Sequence, residues 1–464
     1  MSDDPEATRP DTNVDLAVRR VADLSRAERR AVFDRSVDTA EVHADVAAII
    51  ERVREEGDVA LRELADELDD AAVGSIEITG DAARAYNRVD ADLRVSIDRA
   101  AENVQDFHEA QLPTDWRETF DDRLLGRRYR PIERAGVYVP GGAAAYPSSA
   151  IMGIVPATVA GVDDVVVATP PEPSDATLAA IYAAGADIVY AVGGAQAVAA
   201  MAYGTETVDR VQTIVGPGNR WVTAAKAQVR GDVAIDFLAG PSEVLVVADE
   251  TCDTAYVASD LLAQAEHDPH AAAAVVTDSE DVAETLIGEI ERQLAGRDRA
   301  ETIREALDND ASGVFLARSM SEAVLFAEEY AAEHLSIQAD DDGSLADRIT
   351  NAGSVFLGDF TPVAAGDYAA GTNHVLPTGG GARVHGGLSV DTFLRTSTVQ
   401  RLDAGALRGL ADTITTLAAA EGLEAHAESV RRRVDDRPAA VTRERGGDSQ
   451  TTDAGDDADT RDGE

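Results

Sequence analysis

Short β-branched runs that end in glycine or proline and then give way to alanine-rich helical texture recur along this chain, and they constrain its fold more than any other feature. GVYVPGG from Gly136, DDVVVATPP, ADIVYAVGG and RVQTIVGPG follow one another, and a second series begins near Glu243 with EVLVVADE, AAAAVVTD, SGVFLA, HLSIQ and GSVFLGD. Strands alternating with helices pair in parallel through crossovers, so two α/β domains are expected. From Leu24 to Gln111 the apolar residues recur at three- and four-residue spacing, in runs such as AEVHADVAAIIERVREEG, which predicts a helical lead-in. After about Gly386 the texture turns helical again through LRGLADTITTLAAAEGLEAHAESVRRRV. Residues 1–12 and 435–464 have few large apolar side chains and many Asp, Gly and Thr, and are expected to be disordered tails. A chain of 464 residues with 44% hydrophobic side chains fills more than one core, in keeping with two domains.

Charge sets the surroundings. Lys+Arg number 41 against 86 Asp+Glu, a formal charge of -45, which excludes binding of nucleic acid or an anionic membrane through a basic face. Lys226 is the one lysine, and the acids run along the whole chain. Such a surface stays compact where molar salt screens its self-repulsion, so a halophilic source is expected. The single Cys252 excludes a disulfide scaffold and a CxxC metal site. The acidic start MSDDPEATRPDT is no export signal, and no stretch reaches the roughly 20 apolar residues of a membrane helix, so the cytoplasm is expected.

Three βα turns are glycine-rich: Pro140-Gly141-Gly142, Gly193-Gly194-Ala195-Gln196 and Gly216-Pro217-Gly218-Asn219. None completes GxGxxG with an acid about twenty residues on. Singly, each is ordinary turn chemistry; three in successive turns favour a ligand at the carboxyl ends of the strands. TAYVASDLLAQAEHDPH reads as a helix stopped by Pro269, with Gln264 and His267 three apart on its last turn. That pair suits a divalent metal but is not a site by itself. In EEYAAEHLSIQ, Glu333 and His334 stand where a helix passes into a strand, a carboxylate and an imidazole able to divide acid and base work; the bland alternative is a helix-end histidine beside a solvated acid. The stretch GDFTPVAAGDYAAGTNHVLPTGGG reads as a long loop with Asp367 and His374 as its polar candidates, His374 serving equally well to tie the loop to its own backbone. His426, five residues after Glu421, reads alone as a surface histidine, His270 likewise, and Cys252 as a small filler.

Together, from about Asp38 to Val434, the segments GVYVPGGAAAYPSSAIM, VGGAQAVAAMAYGTE, IVGPGNRWVTAAKAQV, AIDFLAGPSEVLVVADE, VASDLLAQAEHDP, AAEHLSIQ, AGSVFLGDFTPVAAGDYAAGTNHVLPTGG and EGLEAHAESVRRR resemble the histidinol dehydrogenase family. The resemblance implies an α/β fold of two incomplete Rossmann-like domains with small helical N- and C-terminal segments. One domain would comprise 13–136 and 242–385, interrupted by a nucleotide-binding domain at 137–241, and 386–434 would be exchanged in a homodimer. It implies a zinc- and NAD-dependent oxidoreductase that takes L-histidinol through the aldehyde to L-histidine, the last two steps of histidine biosynthesis. It further implies one zinc per subunit on Gln264, His267, Asp367 and His426, a catalytic pair Glu333 and His334, and Tyr138, Gln196 and Asn219 on NAD. Ser242 and Glu421 would hold histidinol, which Gln264, His267, His334, Asp367 and His426 also face. Two other readings stay open: a zinc dehydrogenase acting once on another amino alcohol, and a catalytically silent zinc- and nucleotide-binding protein.

Overall fold

The computed structural model describes residues 16–35, 39–141 and 145–435. The two expected tails therefore lie outside the described residues, except Asp435, which closes the last helix. The chain divides into two compact units, one running to Thr114 and again over Tyr129–Thr396, the other comprising Asp115–Arg128 and the chain from Ser397.

In chain order, β1 (Val18–Arg20) precedes the lead-in helices, and a hairpin of β2 (Trp116–Phe120) and β3 (Arg123–Pro131) follows them. Next come β4 (Arg134–Tyr138), β5 (Asp164–Thr169), β6 (Ile188–Ala191), β7 (Thr213–Val215) and β8 (Ala234–Ile235), a parallel sheet in the order β6-β5-β4-β7-β8. Then β9 (Glu243–Ala248), β10 (Ala272–Thr277), β11 (Gly313–Leu316), β12 (His334–Gln338) and β13 (Ser354–Leu357) join β1 in a second parallel sheet, β1-β11-β10-β9-β12-β13. The fold class is thus the expected one, and all nine runs read as strands are strands.

Both sheets are covered on both faces, which is why their central strands read as unbroken apolar runs. Successive side chains alternate between two cores: Val165 and Val167 enter one, Val166 and Ala168 the other. In the second sheet Val244 and Val246 face one core, Leu245 and Val247 the opposite one.

The lead-in helices divide differently from the expected grouping of 13–136 with 242–385. Val32, on the helix Arg26–Phe33, packs in a core of the six-stranded sheet, to which β1 also adds an edge. The later helices cover the five-stranded sheet instead: Val46, Ile50 and Val53 from His43–Glu56 and Leu61 and Leu64 from Asp58–Asp69 pack on one face, and Ala82, Ala85, Ile97 and Val104 from Thr79–Arg88 and Ala91–Glu109 on the other. β4 also starts at Arg134, three residues before the expected boundary.

β14 (Leu394–Leu402), β3 and β2 form a three-stranded sheet, followed in the second unit by helices Ala404–Ala420 and Glu424–Asp435 that pack against each other. Between Gly386 and the two helices the chain forms a short 3-10 turn, Val390–Phe393, and then a nine-residue strand, so the expected helical segment begins only at Ala404.

Candidate active site

The helix Met320–Tyr330, capped by Ser319, ends at Ala331 in the left-handed region (φ 50°, ψ 58°). A non-glycine residue held there stores backbone strain, and here it turns the chain so that Glu333 and His334 enter β12 side by side. Both are buried, at 6% and 3% exposure. Glu333 Oε2 accepts the Ser242 hydroxyl at 2.7 Å and the Glu243 peptide N–H at 2.7 Å. His334 Nδ1 lies 3.0 Å from the Glu243 carbonyl, which accepts only a proton-bearing nitrogen, so Nδ1 carries hydrogen and Nε2 faces the site. Nε2 is buried without a hydrogen-bond partner among the described residues and stands 3.3 Å from Asp367 Oδ1, within ion-pair range but off the line of a hydrogen bond. Burial lifts the Glu333 carboxyl to about 7, against the opposing pull of His334 and the two donors. Burial alone would depress His334; the charges of Glu333 and Asp367 overcome it and carry the imidazole to about 9.

Glu243 is the residue that sequence reading missed. Its main chain holds both members of the pair, and its buried carboxylate takes a two-pronged contact from Arg35 (3.0 and 3.1 Å) and the Gly379 N–H at 2.7 Å. Arg35 also stacks on the Tyr330 ring at 3.7 Å. The only signal was a charged residue opening an otherwise apolar strand run.

Gln264 lies in the last turn of the helix Thr254–Ala265 with its side chain buried and Nε2 unpartnered among the described residues. His267 lies just past the helix rather than on its last turn, in a turn closed by its N–H on the Gln264 carbonyl, and it is exposed. The expected long loop contains a short helix, Val363–Tyr368, which carries Asp367. His334 holds the Asp367 carboxyl below its usual range although burial pushes it up, and His267 and His374 add to that pull. His374 ties its own loop, Nδ1 on the Asp367 carbonyl at 2.8 Å, with Ser149 Oγ 3.3 Å from Nε2. Among the described residues no three His, Cys, Asp or Glu side chains are close enough to hold a metal ion. Gln264, His267 and Asp367 nonetheless offer an amide oxygen, an imidazole and a carboxylate, and Nε2 of Gln264 and Nε2 of His334 are both buried without a hydrogen-bond partner among the described residues. Three donors of this kind suit zinc once a fourth is supplied. Glu421 and His426 lie in the second unit, exposed, one capping Ala404–Ala420 and the other in Glu424–Asp435.

Tyr138 closes β4, and its hydroxyl accepts the Gly194 N–H at 3.1 Å, joining two glycine-rich turns. Burial pushes that phenol up to about 12, so it is neutral. Gln196, also buried, donates to Asp69 at 3.4 Å. Asp69 is raised by burial, and comes from the end of a lead-in helix rather than from within the sheet's own series. Asn219 caps the helix Arg220–Val229, accepting from Trp221 and Val222 N–H at 3.0 and 3.2 Å. These turns sit at the carboxyl ends of β4, β6 and β7, and β4/β7 is where the strand order reverses, the usual place for a ligand crevice. Glu333 and His334, by contrast, stand at the amino ends of the six-stranded sheet. Cys252 and His270 lie outside both clusters; burial and three nearby aspartates raise the thiol to about 11, which makes it a poor nucleophile.

A family model described as histidinol dehydrogenase matches residues 33–434. The chain is 65% identical over 420 residues to a histidinol dehydrogenase of Haloarcula marismortui, covering 90% of this chain and 100% of that one. It is 46% identical over 424 residues to that of Methanothermobacter thermautotrophicus, covering 90% and 98%. The crystal structure of histidinol dehydrogenase from Elizabethkingia anophelis superposes with a TM-score of 0.85 at 36% identity, covering 89% of this chain and 96% of that one. The haloarchaeal relative agrees with the halophilic origin read from the charge. No helix among the described residues is long and apolar enough to cross a membrane.

Proposed function

The chain belongs to the histidinol dehydrogenase family, and we propose that it oxidises L-histidinol through the aldehyde to L-histidine, with two NAD reduced and one water consumed. The buried Glu333–His334 pair, held from both sides by Glu243, is the observation that carries the reading.

With Nδ1 committed to the Glu243 carbonyl, His334 exchanges protons through Nε2. In its neutral form, which gains population as pH rises toward about 9, it takes the hydroxyl proton of the substrate as hydride departs, and the carboxylates of Glu333 and Asp367 stabilise the imidazolium it becomes. Glu333 titrates near neutrality, so it accepts a proton from water as that water adds to the aldehyde. Its Oε2 is occupied by two donors, which leaves Oε1 for this task. Ser242 thereby orients Glu333, in addition to its expected contact with substrate. His334 serves again when the hydrate loses its second hydride.

Zinc would be held by Gln264, His267 and Asp367, with His426 from the partner of a homodimer, and would fix the imidazole and amine of histidinol. NAD supplies the hydride acceptor beside Tyr138, Gln196 and Asn219, where Asp69 offers an acceptor for ribose hydroxyls.

Counting reduced NAD per histidinol consumed tests the reading. Two supports it, one indicates a single oxidation of an amino alcohol, and none a silent binding protein. The shared site has its own test: inactive His334→Ala and His426→Ala chains, refolded together, should regain about a quarter of wild-type activity, because half the dimers are mixed and each holds one intact site.

A further inference from the structure

We infer that Lys226 and Asp236 are positioning residues for the turn Gly216–Asn219, and that this place requires lysine rather than arginine. The inference rests on the assignment of Tyr138 and Asn219 to NAD.

The two side chains are almost sealed from solvent, at 3% and 2% exposure, and pair at 2.5 Å. Each also takes one polar group of Gly216: the ammonium donates to the Gly216 carbonyl at 3.0 Å, and Asp236 Oδ2 accepts the Gly216 N–H at 2.9 Å. Gly216 has no latitude of its own. Its φ is +110°, and a Cβ there would stand 2.3 Å from the Tyr138 carbonyl. The clamp therefore fixes the first residue of the turn against the end of β4, three residues before Asn219, with one arm from the helix that follows the turn and the other from the residue after β8. It lies at the β4/β7 reversal, between the residues assigned to the dinucleotide.

Stability does not explain the pair. Two charges removed from water gain little over apolar side chains of the same size, and such pairs are best accounted for by the single geometry they impose. Composition sharpens this: Lys226 is the only lysine, every other side-chain cation being arginine. An ammonium is a compact point donor that reaches a carboxylate and a carbonyl together, whereas a guanidinium brings a wide planar fork of five donors into a closed space. A chain that elsewhere uses arginine keeps lysine where only its shape fits.

The test uses the full chain in molar KCl, with Lys226→Arg and the uncharged pair Lys226→Met/Asp236→Asn, whose asparagine still accepts the Gly216 N–H. Helix content and thermal unfolding establish folding; if Lys226→Arg does not fold, the neutral pair carries the test. The expected result is a rise of about tenfold or more in KM and in Kd for NAD by direct titration, with KM for histidinol changed less than about twofold. Unchanged NAD binding in a folded variant overturns the clamp alone. Failure of the wild-type protein to bind NAD overturns the NAD assignment and the clamp with it.

Discussion

Glu243 grips Glu333 through its peptide N–H, 2.7 Å from Oε2, while its own carboxylate turns away into Arg35 at 3.0 Å. One residue thus steadies the ionised form of Glu333 by its backbone and opposes it by its charge.

The Ser242 hydroxyl favours the charged carboxylate of Glu333, so Ser242→Ala should move that group further above about 7. Aldehyde oxidation, which needs Glu333 ionised, should then weaken at neutral pH and recover as pH rises. Glu333→Gln should slow the aldehyde step by about a hundredfold or more and spare alcohol oxidation. Supplying the aldehyde separates the two steps; equal damage to both would remove the assigned role.

Removing one partner of a buried pair leaves the other charge uncompensated. Arg35→Met should therefore cost about 3–5 kcal/mol of stability by denaturant unfolding, since the Glu243 side chain is only 2% exposed. Arg35→Lys should lose less. A loss under about 1 kcal/mol for Arg35→Met would mean that water or a rearranged loop reaches Glu243.

Burial raises Asp260 to about 6, and its one donor, Gln338 Nε2 at 3.0 Å, does not offset this. A folded pKa above the unfolded one means that the folded state binds the extra proton, so stability is lost as pH climbs from about 4 through about 6. Asp260→Asn should be more stable than wild type by about 1–3 kcal/mol at pH 7 and no more stable below about pH 4. Its amide can also donate to Gln338 Oε1, which is buried without a partner among the described residues. A stability difference that stays flat with pH would contradict the assignment.

Chelation followed by dialysis should abolish turnover, and added zinc should restore it. Binding should also raise the melting temperature of the metal-free protein, a readout independent of activity. Full turnover in a sample verified to be free of metal would end the zinc proposal.

With a charge of -45, unfolding temperature and activity should climb together from millimolar to molar KCl. Equal stability at both extremes would contradict the reading of the surface.

Strands buried on both faces were legible because they are unbroken apolar runs bounded by glycine or proline. The hairpin β2–β3 and β14 were not, for they are mostly exposed and their sequences, WRETF and LRTSTVQRL, show no apolar alternation. Glu333, His334, Gln264 and Asp367 carry chemistry recognisable by residue type and position. Glu243, Arg35 and Asp69 do not, because what places Arg35 beside Glu243 and Asp69 beside Gln196 is packing between segments more than a hundred residues apart.

Because Glu333 and His334 enter from the amino ends of the six-stranded sheet, the turns leaving the carboxyl ends of β9 and β12 carry none of the assigned side chains. The turns Asp249–Asp253 and Ala339–Asp341 are acidic and largely exposed. They are therefore the places to graft an affinity tag or a fluorophore-bearing insertion, so that the enzyme can be tethered or followed while its working end stays untouched.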